Sequence, residues 1–222
     1  MMEHTSLINK NKKGTSMLEL IAYVMLYGIV MSLLATLVFV IVQAARKVNR
    51  QAILNRGTTM MYTEILAQTT NLGPDTVDKV VYKNASGNEI TDPETNKTSI
   101  NSISITFIKQ YDYAPSDNYV VGDKTYSEGD RYPLTTPLTL EYVYTKGTDY
   151  IDVVRNGDYD NKSTINLDYN MTISSVNDES IYGFISVDTQ STTNKYVSFN
   201  GCLNFDNRKM EFRFIIPVFI SN

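Results

Sequence analysis

The chain carries an uninterrupted apolar run at residues 20–42. As an α-helix, these 23 residues would extend about 35 Å, which is enough to cross the roughly 30 Å hydrocarbon core of a bilayer. A secretory signal peptide has a shorter apolar core of about 7 to 15 residues, and its small-residue cleavage site follows that core. We therefore predict a transmembrane helix that the mature protein keeps.

A single carboxylate, Glu19, stands immediately before this run. A charged side chain at the bilayer centre costs about 2.5 to 3.5 kcal/mol on insertion scales, so an acid beside a membrane segment is a candidate functional residue. Gly14 lies five residues upstream of Glu19 and directly follows Lys12 and Lys13. Two bases, a Gly, a Glu and a long apolar run thus occur in that order.

This order resembles the leader junction of the type IV pilin-like family, the class III prepilin leader. The resemblance covers residues 10–45 as a motif and extends toward residue 72 as a pattern. It implies that a prepilin peptidase cuts after Gly14, that residues 1–14 are a leader, and that the new terminus at Thr15 is N-methylated. It also implies that the amino terminus lies in the cytoplasm and that the later part of the chain is extracytoplasmic.

The chain departs from the family pattern at two places. The residue after the cut is Thr15, where many of these proteins have Phe. The apolar run also has no Pro near its middle and offers only Gly28, Ser32 and Thr36 as weak points in the helix. The run therefore lacks the Pro that many family helices carry, and Gly28, Ser32 and Thr36 are the positions where the family's local helix melting could occur.

The chemistry of Glu19, taken with the cleavage that the resemblance implies, predicts a role in assembly. Cleavage after Gly14 would create an α-amine with a reference pKa of about 7.7 to 8.0 at the start of the helix. Because an ammonium and a carboxylate are each costly to bury alone, pairing them lowers the cost. We predict that Glu19 of one subunit meets the amine of Thr15 on a neighbour and sets the register. The alternative is a plain signal anchor with Glu19 in the headgroup region.

Charge divides the chain. Residues 1–56 hold 7 Lys or Arg against 2 acids, and residues 57–222 hold 13 against 22, a net charge of −9. An acidic outer segment argues against direct nucleic-acid binding, which needs a basic surface. Four bases follow the run; they either form a solvated or headgroup-facing helix surface or contact acidic patches on neighbouring subunits. They are Arg46, Lys47, Arg50 and Arg56.

The inventory of reactive side chains argues against catalysis. The one His is His4, inside the predicted leader, and the one Cys is Cys202. Neither a Cys–His pair nor a thiolate and imidazole zinc site can be built from them, so we expect no enzyme and no cofactor. We expect Cys202 to be a buried thiol. Residues 158–163 resemble part of a calcium loop but lack its Gly and closing Glu, which favours a polar turn and no metal site.

The helix is predicted to continue beyond the membrane segment, over residues 15–72. Leu54, Met61, Ile65 and Leu72 recur at spacings of seven, four and seven, which places them on one helical face before the Gly-Pro at residues 73–74. A break at Gly57 and the two Thr residues that follow it is left open, because these residues have lower helix propensity.

Residues 73–222 are predicted to form an antiparallel β domain, because apolar and polar residues alternate there with a period of two. A helix followed by such strands is a single α+β fold, a long N-terminal helix packed on an antiparallel sheet, as the pilin resemblance also implies. Residues 84–99 and 112–131 are predicted as long loops. The predicted strands lie at residues 77–82, 103–107, 138–144, 150–154, 165–173, 181–187, 196–204 and 210–218.

The resulting functional hypothesis is a minor pilin or pseudopilin of a type IV pilus, competence or type II secretion system. Its expected partners are the prepilin peptidase, other pilin subunits, the assembly platform and membrane lipid. It would rest in the cell membrane as a single-pass protein and then enter an extracellular filament. The alternative is a signal-anchored extracytoplasmic binding or adhesion protein that does not polymerise.

Overall fold

A computed structural model describes residues 17–72, 76–187 and 195–218. Its first element is a continuous helix, α1, over Met17–Leu72. The chain divides into two compact units, Met1–Asn49 and Arg50–Asn222. The second unit contains the later part of α1 and all the strands that the structure describes. One long helix followed by antiparallel sheets confirms the α+β fold.

Eleven strands are described, and they form two sheets and a separate hairpin. The first sheet has the order β1-β2-β5-β6-β7, and the second has the order β11-β10-β8 with β9 also paired to β10. Every described pairing between strands is antiparallel. The strands are β1 (Thr76–Lys83), β2 (Ser102–Tyr113), β3 (Tyr119–Val121), β4 (Lys124–Tyr126), β5 (Arg131–Thr145), β6 (Tyr150–Arg155), β7 (Ser163–Asn166), β8 (Thr172–Ser174), β9 (Ile185–Val187), β10 (Lys195–Phe205) and β11 (Arg208–Val218), with a short 3-10 helix at Lys97–Ser99.

The core of the second unit lies between α1 and the two sheets. Leu54, Met61 and Ile65 are fully buried in one cluster with side chains from both sheets, which confirms the helical face predicted for them. The side chain of Leu72 lies outside the described residues. Burying an apolar side chain of this size contributes about 1.5 to 3 kcal/mol. The packing of α1 is therefore a substantial part of the stability of this unit.

The helix does not break at Gly57. A Cβ at this position would lie 2.8 Å from Met171 Sδ and 3.0 Å from Leu203 Cδ2, so the absence of a side chain lets α1 approach the second sheet closely. Thr58 and Thr59 donate hydrogen bonds to backbone carbonyls one turn earlier in α1. The residues that suggested a break instead serve close packing and intrahelical hydrogen bonding.

The prediction of one strand over residues 165–173 is wrong. The residues between β7 and β8 include Asp168, Tyr169 and Asn170, whose φ angles are 58°, 49° and 55°. Three successive left-handed residues reverse the chain, and they connect β7 on the first sheet to β8 on the second. Alternation of apolar residues continues through this turn, so periodicity alone could not reveal the change of sheet.

Three further predictions needed correction. Residues 112–131 are not one long loop, because β2 and β5 pair as far as Tyr113 and Arg131 and the β3–β4 hairpin lies between them. Of the strand predicted at residues 181–187, only Ile185–Val187 is extended, because Gly183 has a φ of 79° and turns the chain. The expected single sheet is two sheets that share a core with α1.

Candidate functional site

The apolar run forms the first part of α1, and its side chains are exposed on every face of the helix. A helix that is apolar all round needs an apolar environment, either hydrocarbon or other helices. Within the described residues, α1 is the one helix long and apolar enough to span a membrane. This agrees with the predicted segment at residues 20–42.

Glu19 lies in the first described turn of α1, and its side chain is exposed. The other predicted processing residues, Lys12, Lys13, Gly14 and Thr15, lie outside the described residues. Cleavage, methylation and the charge pair with Glu19 therefore stay predictions.

The three small or polar residues in the apolar run do not interrupt α1. Gly28, Ser32 and Thr36 are all helical. Thr36 Oγ1 donates a hydrogen bond of 2.9 Å to the Ser32 carbonyl oxygen, so its hydroxyl is satisfied inside the helix.

The later part of α1 is fixed to the first sheet by a buried polar cluster. Tyr142 Oη on β5 lies 3.1 Å from the Ile65 carbonyl oxygen and 2.9 Å from Thr69 Oγ1. Thr69 Oγ1 also donates to the Ile65 carbonyl oxygen at 2.7 Å. Burial of the phenol raises the pKa of Tyr142, so this group stays neutral and available for hydrogen bonding. The cluster sets the position of the helix along the sheet more specifically than apolar contacts can.

A second buried phenol joins the two sheets. Tyr144 Oη on β5 accepts a 2.7 Å hydrogen bond from the backbone N–H of Ile173 on β8. Burial raises the pKa of Tyr144 to about 12. Each of these Tyr residues therefore combines apolar ring burial with one polar link to a different element.

Two of the four bases after the apolar run form ion pairs within the chain. Arg50 pairs with Asp206 in the turn between β10 and β11, and Arg56 Nε lies 4.0 Å from Asp168 Oδ2. The sequence left open a solvated surface or contact with neighbouring subunits. Both ion pairs lie within the second unit of the chain. Neither a solvated surface nor a contact with a neighbouring subunit describes them.

The predicted burial of Cys202 is confirmed, since its side chain is 3% exposed. Burial and the neighbouring Glu211 raise the pKa of its thiol, so the reactive thiolate is disfavoured. The predicted polar turn at residues 158–163 is also observed: Asp158 accepts hydrogen bonds from the backbone N–H and the side-chain amide of Asn161.

A cavity of about 660 Å³, which the sequence did not predict, lies beside the turns at residues 168–170 and 206–207. Asp206 and Asn207 form the two-residue turn between β10 and β11, and both have positive φ angles. Asp and Asn are residue types that tight turns with positive φ favour, so this pair is a local signal for a turn. The approach of this turn to Tyr169 depends on the unpredicted turn after β7, so the sequence offered no signal for the cavity itself.

The fold defines an α+β protein with a long apolar N-terminal helix and antiparallel sheets, an arrangement compatible with a pilin-like fold. In the comparisons with known proteins, no family model, curated protein or solved structure matches this chain.

Proposed function

We propose that this protein is a minor pilin or pseudopilin, a structural subunit of a type IV pilus-like filament. The observation that carries the proposal is the order of residues at the start of the chain: Lys12, Lys13 and Gly14, then Glu19, then a helix whose first part is apolar on every face. In this proposal, residues 1–14 are a cytoplasmic leader, and residues 20–42 span the membrane until the subunit is assembled.

The two parts of α1 support the proposal in different ways. The exposed apolar part has no packing partner among the described residues other than its own helix, so it requires lipid or the helices of other subunits. The later part is buried against two sheets through Leu54, Met61 and Ile65. A filament subunit needs both properties, because one part must change neighbours during extraction while the other stays folded.

The proposed role of Glu19 is to pair with the amino group that cleavage creates at Thr15 of a neighbouring subunit. Apolar helices slide along one another at little cost, whereas a buried carboxylate without a partner is strongly unfavourable. One such pair for each subunit would select a single axial register. The assembly platform and the other pilin subunits would supply the remaining contacts.

The first test is the intact mass and amino-terminal sequence of the protein from cells with and without a prepilin peptidase. We expect a chain that begins at N-methylated Thr15 only when the peptidase is present. A Gly14→Val variant is the matched control, since it replaces the residue before the predicted cut and leaves the sequence of the mature chain unchanged. We expect it to keep its leader in both strains.

A chain that keeps residues 1–14 in the presence of a functional peptidase would contradict the proposal. The protein would then be a signal-anchored extracytoplasmic protein that does not polymerise. Recovery of the processed chain in sheared filaments, at a small fraction of the main subunit, would support the minor-subunit assignment. Recovery of this protein as the bulk of the filament would contradict its assignment as a minor subunit.

A further inference from the structure

The cavity beside the turns at residues 168–170 and 206–207 has the composition of a ligand site. It is open to solvent, about 660 Å³ in volume, and lies wholly in the unit that begins at Arg50. A cavity of this size is large enough for a small ligand or a few sugar units. Aromatic, amide, hydroxyl and charged side chains all contribute to its walls.

An aromatic surface forms one part of the cavity. The rings of Tyr169 and Phe205 pack edge to face with centroids 6.0 Å apart, and Tyr169 is 54% exposed. Tyr169 has a φ of 49°, a conformation that a bulky residue rarely adopts. The turn thus holds a large ring half-exposed in a strained backbone position, as is common at binding sites.

The cavity is locally basic on an acidic unit. Lys146, Arg208 and Lys209 line it, whereas the chain from residue 50 onward carries 15 Lys or Arg against 22 acids, a net charge of −7. None of these three cations lies within salt-bridge distance of a carboxylate in the described part of the chain. Asp206, which also lines the cavity, is paired with Arg50. The charges at this site therefore favour an anionic ligand.

Acceptors and amides line the same space. Glu179 contributes a carboxylate, and Asn170 and Asn207 contribute amides. Asn204 Nδ2 donates to the Thr172 carbonyl oxygen at 3.2 Å, and its buried Oδ1 accepts no hydrogen bond from a described residue. A carboxylate and amide oxygens accept hydrogen bonds, so a ligand with several hydroxyl groups could donate to them.

We propose that this cavity binds an acidic oligosaccharide of the hexuronate type. A sugar ring would stack on Tyr169, its hydroxyl groups would donate to Glu179 and the Asn amides, and its carboxylate would accept from Lys209 and Arg208. A single-stranded nucleic acid fits less well. It needs successive aromatic stacking surfaces along a basic groove, whereas the aromatic residues that line this cavity are Tyr169 and Phe205, which pack edge to face against each other. The proposal is independent of filament assembly and goes beyond it.

The test measures binding of a hyaluronan decasaccharide to the full chain in detergent micelles by isothermal titration calorimetry. Three probes serve as comparisons: a neutral chitin oligosaccharide, an oligoglutamate and an oligodeoxythymidine. We expect saturable binding of hyaluronan that weakens with added salt, because the ion pairs at an open site are screened. We expect the three comparison probes to bind at least tenfold more weakly.

Matched variants assign the binding to the cavity. Lys209→Gln and Tyr169→Asn should each weaken hyaluronan binding about tenfold, the effect of losing one charge-assisted hydrogen bond or one stacking contact. Asn is chosen because it tolerates the left-handed conformation of residue 169. The controls are Arg213→Gln, on the same strand as Lys209, and Tyr113→Asn, at a residue that is 61% exposed; neither residue lines the cavity. We expect both controls to bind within twofold of the parent chain.

Three outcomes would overturn the proposal. The first is no binding of hyaluronan by the folded chain. The second is equal binding of oligoglutamate or oligodeoxythymidine, which would mean that the cavity attracts anions without recognising a sugar. The third is a loss in the Arg213→Gln control as large as that in Lys209→Gln. Circular dichroism of each variant establishes that its fold is retained before binding is compared.

Discussion

Tyr142 Oη on β5 lies 2.9 Å from Thr69 Oγ1 on α1, and both side chains are buried. The Ile65 carbonyl oxygen completes the cluster, so two hydroxyl protons are shared among three short oxygen–oxygen contacts. This hydrogen-bonded cluster is stabilising because each of its three oxygens, although buried away from water, has a hydrogen-bond partner. The helix and the first sheet are therefore joined by a specific polar contact as well as by apolar packing.

We predict that Tyr142→Phe lowers the free energy of unfolding of the second unit by about 1 kcal/mol, the net contribution of a buried hydrogen bond. The ring is kept, so the apolar packing changes little. The chain has no Trp, and urea unfolding is best followed by circular dichroism in detergent. Tyr113→Phe, at an exposed ring, is the control and should leave the unfolding midpoint unchanged. An equal loss in both variants would mean that the buried cluster contributes nothing specific.

Alkaline pH should destabilise the second unit through Tyr144. Burial raises the pKa of Tyr144 to about 12, while an unfolded Tyr titrates near 10. Because the folded pKa is the higher one, the stabilising contribution is complete below pH 10 and is lost as the pH rises toward 12. We expect the free energy of unfolding to fall by about 2 kcal/mol over this interval. The decline should become shallower in Tyr144→Phe; an unchanged decline would assign it to other groups.

The sequence predicted the parts of the fold that depend on periodicity. Leu54, Met61 and Ile65 lie on one buried helical face as their spacing required. The turn at residues 168–170 was missed because apolar residues keep alternating through it, although Asp168 and Asn170 are residue types that tolerate positive φ. The change of sheet at that turn depends on pairing with β10, more than 25 residues later in the chain. Long-range pairing decides such features, and a local pattern carries no information about it.

The candidate sites divide in the same way. Gly14, Thr15 and Glu19 form a local motif, so the sequence alone suggests their role. The cavity near Tyr169 is assembled from separate segments, including Lys146, Glu179 and Lys209. Their proximity follows from the way that the two sheets meet, and no spacing along the chain encodes it.

Gly57 should be coupled to Met171. A Cβ at Gly57 would lie 2.8 Å from Met171 Sδ, so Gly57→Ala requires the thioether to move despite the higher helix propensity of Ala. Met171→Ala alone leaves a cavity and should cost about 2 to 5 kcal/mol of unfolding free energy. In the Gly57→Ala background we expect this cost to be smaller by about 1 kcal/mol, because the new methyl group fills part of the cavity. Additive effects in the double-mutant cycle would contradict the proposed contact.

The two ion pairs of α1 should differ in strength. Arg50 pairs closely with Asp206, whereas Arg56 and Asp168 are 4.0 Å apart and the Arg56 side chain is 65% exposed. We expect Arg50→Gln to lower the free energy of unfolding by about 0.5 to 1 kcal/mol at low salt, and Arg56→Gln to have no measurable effect. The loss in Arg50→Gln should shrink in 1 M salt, because the screening length falls to about 3 Å. A salt-independent loss would indicate packing of the Arg50 stem instead of charge.

Glu19 provides the sharpest test of the proposed filament assembly. Glu19→Gln keeps the size of the side chain and removes its charge, so the helix should still insert in the membrane while the amine of a neighbouring Thr15 loses its partner. A buried ammonium without a carboxylate is strongly unfavourable, and even 1.4 kcal/mol lost for each subunit gives a tenfold lower incorporation. We therefore expect processing after Gly14 to continue and the amount of protein in sheared filaments to fall at least tenfold. Glu64→Gln, at an exposed acid in the later part of α1, is the matched control and should assemble normally. Wild-type incorporation of Glu19→Gln would show that the register of the subunits is set by contacts other than this charge pair.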